Sequence, residues 1–224
     1  LAKEKRGIII KKMNSLPRYQ KVRLEDIVEN QDFPVLVADN VLSESDYFTI
    51  YNLVTRTPEE KTIVQPWAGH KAYWTIFPNS IVNKIESIAS SLVGEELVMA
   101  EYSFARYSKE YGYECKLFPH YDTKSSQRIT FDLQLNTDED WGIVVEGETY
   151  HLKDNQALIF SGTQQMHWRE EHKLKPETKI DMIFFHLAYK NDKPLQPGYK
   201  EIMEKRSRCL MEETGITSEI YENM

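Results

Sequence analysis

The spacing of apolar residues changes near Gly94. Before it, apolar side chains recur at intervals of three and four. Tyr47, Ile50, Tyr51 and Val54 share one face of a helix predicted over Tyr47 to Thr55, and Ser43-Glu44-Ser45-Asp46 supplies capping residues ahead of it. A second stripe, Ile81, Ile85, Ile88 and Leu92, follows Pro78-Asn79-Ser80 and predicts another helix. Upstream, the run Val35-Leu36-Val37-Ala38 after Pro34 reads as a short strand. Residues 1–33 are charged and weakly periodic, which predicts an N-terminal extension ahead of a single domain over 34–224.

After Gly94 the pattern alternates. Strands are predicted over Leu97 to Tyr107, Gln127 to Leu135, Gly142 to Val145, Thr149 to Leu152, Ala157 to Ser161 and Lys179 to Tyr189. The turn signals between them include Asn136-Thr137-Asp138, Glu146-Gly147-Glu148, Lys153-Asp154-Asn155 and Ser161-Gly162-Thr163, spaced as in a sandwich or jelly roll. The fold class expected is mainly β with flanking helices. Pro194 and Pro197-Gly198 close this region, and Tyr199 to Thr214 predicts a C-terminal amphipathic helix with Ile202, Cys209 and Leu210 on its buried side. No internal repeat is visible.

Composition narrows the function classes. With 41% hydrophobic and 28% charged residues in 224, the chain is an ordinary globular one. A net charge of −7 argues against general nucleic-acid binding, which needs clustered Lys and Arg to displace counterions. Cys115 and Cys209 lack the spacing of a zinc or redox pair, so a reduced compartment is expected. The apolar run Ile8-Ile9-Ile10 ends at Lys11, before a signal-peptide core is complete, and no stretch approaches the roughly 20 apolar residues of a membrane helix. The expected location is the cytoplasm, with no membrane association; the oligomeric state is unreadable.

The chemistry centres on Phe118-Pro119-His120-Tyr121-Asp122. In an extended segment, residues i and i+2 point the same way, so His120 and Asp122 can reach one ion. His167 follows a buried-looking strand and adds a second imidazole. Two imidazoles and a carboxylate on one face of a metal leave positions open for substrate and dioxygen, the facial arrangement of non-haem iron(II) oxygenases. Residues 128–135 alternate cleanly: Ile129, Phe131, Leu133 and Leu135 form one face, and Arg128, Thr130, Asp132 and Gln134 the other. An isolated strand of this kind usually turns its polar face to water. Beside the metal motif, Thr130 and Gln134 are expected to line a polar pocket.

The run from Tyr102 to about Tyr189 resembles the core of 2-oxoglutarate and iron(II) dependent dioxygenases, particularly prolyl 4-hydroxylase-like members. The residues that carry the resemblance occur in the family's order: His120-Tyr121-Asp122, the strand from Arg128 ending in Leu135-Asn136, the pair Ile159-Phe160, and His167. The resemblance implies a double-stranded β-helix (jelly roll, cupin-like) over about 97–189, iron(II) held by His120, Asp122 and His167, and 2-oxoglutarate as cosubstrate with dioxygen. It implies oxidative decarboxylation of 2-oxoglutarate coupled to hydroxylation of a small-molecule or peptide substrate. A cation must anchor the distal carboxylate of 2-oxoglutarate. The resemblance points to Lys179; Asp181 shares its strand face and would repel the cosubstrate unless paired. Arg169, two residues beyond His167, competes for the role, and Arg128 is a third candidate. Tyr107 matches a tyrosine directed toward the cosubstrate in related enzymes.

His151, His172 and His186 have no partner at ligand spacing and read as structural or exposed. Trp67, His70, Tyr73 and Trp74 form an aromatic-rich turn that suits either packing or a substrate wall. Two readings compete with an oxygenase. A non-catalytic jelly-roll metal- or ligand-binding protein explains the strands but not the ordered His, Asp and His. A zinc hydrolase shares the ligand types but would need an H-E-x-x-H segment or a placed glutamate base, and neither is present.

Overall fold

Each element begins where the sequence changes the backbone's preferences. The computed structural model describes residues 34–56, 62–65, 70–73, 76–112, 115–122 and 128–191. Strand β1 (Leu36–Ala38) leads into helix α1 (Glu44–Thr55), where the Ser43 hydroxyl caps the first turn by accepting from the Asp46 N–H at 3.3 Å. Strands β2 (Thr62–Gln65) and β3 (His70–Tyr73) form an antiparallel pair. Helix α2 (Asn79–Val93) buries Ile81, Ile85 and Ala89. It ends at Gly94, whose φ of 76° suits a residue without a β-carbon and whose N–H bonds the Ser90 carbonyl.

From there the described chain is built of strands, with a 3-10 turn over Lys109–Tyr111. These are β4 (Leu97–Ser108), β5 (Cys115–His120), β6 (Ile129–Thr137), β7 (Ile143–Val145), β8 (Glu148–Tyr150), β9 (Ala157–Phe160), β10 (His167–His172) and β11 (Lys179–Tyr189). A two-residue turn joins β7 to β8, with Glu146 at φ 47° and Gly147 at φ 85°, the positive values that match a hairpin's twist.

The strands make two antiparallel sheets. One has seven strands in the order β1-β9-β6-β11-β4-β3-β2, the other four in the order β5-β10-β7-β8. Alternation along the central strands sorts their side chains. Ile129, Phe131, Leu133 and Leu135 of β6 join Ile183 and Phe185 of β11 in a cluster under α1 and α2. A fully buried residue of this size contributes about 1.5–3 kcal/mol, so this layer attaches the helices to the sheet. The opposite face of the large sheet packs on the small one through Ala105, Tyr107, Leu158, Phe160 and Met182 against Cys115, Ile143 and Val145. Thr130 and Asp132, paired in register with Phe160 and Leu158, belong to this inner face.

This is the jelly roll expected, mainly β with helices packed outside it. Lys179 to Tyr189 forms a strand with the bounds read from the sequence. The aromatic-rich segment expected as a turn differs: His70 and Tyr73 lie on β3, which pairs with β4 and extends the large sheet. Trp67 and Trp74 lie outside the described residues, as do the N-terminal extension and the predicted C-terminal helix. No helix among the described residues is long and apolar enough to cross a membrane.

Candidate metal centre

His120 closes β5 and His167 opens β10, and the two are register partners across the small sheet. Their rings therefore meet, with centroids 4.2 Å apart. Asp122 lies just beyond β5, where its N–H donates to the Gly162 carbonyl at 2.9 Å. One donor atom each from His120, Asp122 and His167 lies within 4.8 Å of the others, and all three residues are buried.

Local chemistry at His167 and Asp122 suits a cation. Nδ1–H of His167 donates to the Gln165 carbonyl at 3.0 Å, which leaves the Nε2 lone pair free, 3.7 Å from Asp122 Oδ1. Burial lowers the His167 pKa and favours the neutral, ligating form. Burial opposes ionisation of Asp122, but His186, His167, His120 and the Thr130 hydroxyl outweigh it and hold the carboxyl below its ordinary range. Thr130 Oγ1 donates to Asp122 Oδ2. Gly162 is required for this packing, because a β-carbon there would overlap both the Asp122 carboxylate and the Thr130 hydroxyl. Two imidazoles and one carboxylate suit a divalent metal such as iron(II), and these three residues could hold one.

Deeper between the sheets lies Arg169, 3% exposed. Its Nη1 donates to the Trp141 carbonyl at 2.5 Å, its Nη2 lies 2.7 Å from Met182 Sδ, and its guanidinium sits 4.8 Å from the Trp141 ring centroid. No carboxylate lies within ion-pair distance of it among the described residues. Tyr107 packs edge-on against Trp141 and His70, and its buried hydroxyl has no hydrogen-bond partner. Asp132 Oδ1 is also buried without a partner. Burial pushes the Asp132 carboxyl up to about 7; Asp122 adds to the rise, while His186 and Arg169 oppose it.

The other basic candidates lie elsewhere. Lys179 shares the β11 face of Asp181 and Ile183, opposite the inward-facing Ile180 and Met182, and its Nζ is 3.7 Å from Glu110. Asp181 is paired: Arg106 donates to it through Nε and Nη2 at 2.7 and 2.8 Å. Arg128 is buried with its guanidinium over the Tyr189 ring at 5.4 Å. Gln134 is buried and spends its amide on the Asn136 and Asp181 carbonyls, whereas Thr130 reaches the Asp122 carboxylate.

Of the remaining histidines, His151 bonds the exposed Asp140 and His172 approaches Glu139. His186 differs from expectation. Its Nε2 lies 3.8 Å from Asp122 Oδ2, a contact the sequence did not suggest because β11 joins the site only through its pairing with β6. Trp141 and Gly162 were missed for the same reason: their roles depend on tertiary neighbours.

No protein-family profile matches the sequence, and no curated protein is detectably similar to it. Solved structures do share its shape. HygX from Streptomyces hygroscopicus, with nickel, 2-oxoglutarate and hygromycin B bound, aligns over 70% of this chain and 83% of its own at a TM-score of 0.52 and 10% identity. A 2OG-Fe(II) oxygenase family oxidoreductase from Burkholderia pseudomallei aligns over 70% and 85%, with a TM-score of 0.51 and 14% identity. A Pseudomonas putida prolyl-4-hydroxylase aligns over 70% and 93%, with a TM-score of 0.50 and 12% identity. The chain thus has the double-stranded β-helix fold of the 2-oxoglutarate and iron(II) dependent oxygenases, prolyl hydroxylases included.

Proposed function

We propose that this protein is a 2-oxoglutarate and iron(II) dependent oxygenase that hydroxylates a peptidyl residue or a small molecule. The observation that carries the reading is the buried convergence of His120, Asp122 and His167 inside a jelly roll of this shape. Iron(II), when bound, supplies dioxygen activation and the oxidative decarboxylation of 2-oxoglutarate to succinate and carbon dioxide.

The chain's own residues do the rest. His120 and His167 would offer the nitrogen donors and Asp122 the single carboxylate donor, a set that would leave a bound metal positions for exogenous ligands. Arg169 is the anchor we assign to the distal carboxylate of 2-oxoglutarate, because a buried guanidinium without an ion pair favours an entering anion. The Tyr107 hydroxyl, buried nearby without a partner, is the donor we assign to the same carboxylate. Trp141, Met182 and Phe160 exclude water around these groups.

The test is succinate formation by the full chain supplied with iron(II), 2-oxoglutarate and air, over long incubations and with candidate peptides and metabolites. Turnover should require iron(II), should vanish in Asp122→Ala, and should persist in Asp138→Ala, whose carboxylate serves the Lys179 backbone N–H. Well-folded protein that binds neither iron(II) nor 2-oxoglutarate would return the chain to the class of non-catalytic jelly-roll binding proteins.

A further inference from the structure

We propose that His186, backed by Glu101, is a positioning residue that engages one oxygen of Asp122 and so reserves the other for the metal. The inference rests on the proposed metal site. The two oxygens of Asp122 have different neighbours. Oδ1 faces His167 Nε2 at 3.7 Å, on the side where the ligating atoms converge, whereas Oδ2 accepts from the Thr130 hydroxyl and lies 3.8 Å from His186 Nε2. The other ring nitrogen of His186, Nδ1, is 3.4 Å from Glu101 Oε1, so the imidazole stands between two carboxylates.

Register explains how this row arises. Thr130 on β6 pairs with His186 on β11, and His186 pairs with Glu101 on β4. Three neighbouring strands therefore present a hydroxyl, an imidazole and a carboxylate side by side on the inner face of the large sheet. The row meets Asp122, which arrives from beyond the small sheet. Strand positions locked by backbone pairing hold such a contact more tightly than a loop does.

The consequence concerns coordination. A carboxylate free to rotate can chelate a metal through both oxygens, which removes one position that a 2-oxo acid or dioxygen needs. With Oδ2 bound by the Thr130 hydroxyl and faced by the His186 imidazole, Asp122 is kept a one-oxygen ligand. Outer partners of metal ligands commonly contribute 10–100-fold in metal affinity, about the effect expected for His186. Glu101 meets the imidazole at Nδ1, so the influence proposed for it passes through His186.

The experiment is calorimetric titration of metal-free protein with cobalt(II), paired with the visible absorption of the cobalt(II) complex, which reports coordination number. His186→Leu removes both nitrogens at similar bulk. It should weaken cobalt(II) binding roughly 10–100-fold and change the absorption intensity, while the metal-free melting temperature serves as the folding control. His186→Gln, which keeps a polar N–H group facing Oδ2, should recover most of the affinity and the spectrum. Glu101→Ala should weaken binding less, and should add nothing in the His186→Leu background. Leu and Gln variants that bind cobalt(II) like the wild type, with an unchanged spectrum, would overturn the inference and leave the metal site intact. A wild type that binds no cobalt(II) would instead remove the metal-site reading itself.

Discussion

The backbone N–H of Asp122 donates to the carbonyl of Gly162 at 2.9 Å, tying the segment after β5 to the turn after β9. The approach is so close that position 162 has no space for a side chain. Gly162→Ala is expected to push the Asp122 carboxylate away from the two imidazoles and weaken manganese(II) binding by about 10-fold or more, the scale of other disturbances to a ligand's support. Titration calorimetry would measure this, with circular dichroism as the folding check. Wild-type affinity would mean that the turn yields without moving Asp122.

Arg169 and Lys179 make opposite predictions for the cosubstrate. A hydrogen bond to a charged group contributes about 1.5–3 kcal/mol, so Arg169→Met should weaken 2-oxoglutarate binding to the manganese(II)-loaded protein roughly 10–100-fold. Lys179→Ala removes only a surface pair with Glu110 and should leave that affinity within about 2-fold. The reverse outcome would move the anchor to Lys179.

Glu146 makes stability depend on pH. Its Oε1 accepts from the Met166 N–H at 2.7 Å, yet burial pushes the carboxyl up to about 7 from an ordinary 4.5. The folded state therefore holds the proton more tightly than the unfolded chain. This contribution is complete below about pH 4.5 and is lost as pH rises through about 7. Glu146→Gln keeps the acceptor and removes the titration. The variant should gain on the order of 1–3 kcal/mol over wild type between pH 5.5 and 8.5 in urea unfolding. Parallel pH profiles for the two proteins would refute the assignment.

The Arg106–Asp181 pair should behave asymmetrically on mutation. Asp181 is buried and receives both guanidinium bonds, while Arg106 keeps 18% of its side chain exposed. Asp181→Ala leaves that arginine without its partner and should cost about 2–4 kcal/mol, near the lower end for breaking a buried pair. Arg106→Leu combined with Asp181→Leu should cost less than Asp181→Ala alone. Denaturant midpoints at constant slope would establish the order.

Much of the architecture was legible along the chain because it is written in local periodicity. The stripe Ile81, Ile85 set α2, the capping run Ser43-Glu44-Ser45-Asp46 marked the beginning of α1 although the helix starts at Glu44 rather than at the Tyr47 expected, and the alternation from Ile129 to Leu135 placed β6 with its polar residues on one side. The residues His120 and Asp122 stood close enough in sequence to be read together, and His167 could be added from its place after the Ile159-Phe160 strand. The β3 strand was harder: its aromatic residues look the same in a turn as in a strand whose pairing partner, β4, lies far along the chain.

Periodicity says which residues share a face; only packing says what that face meets. Alternation along β11 puts Lys179 with Asp181 and separates both from Met182 and His186, but it does not reveal which set looks inward. Stacking of the small sheet against the large one decided that, turning Met182 toward Arg169 and bringing His186 to Asp122, while Lys179 went to the other side. The sequence by itself determined the two helices before Gly94, the central strands β4, β6, β9 and β11 and the types of ligand available, but not β2, β3 or β10. The tertiary structure decided that Arg169 is enclosed between the sheets and that His186 stands beside Asp122, because those choices depend on contacts between strands that no local pattern encodes.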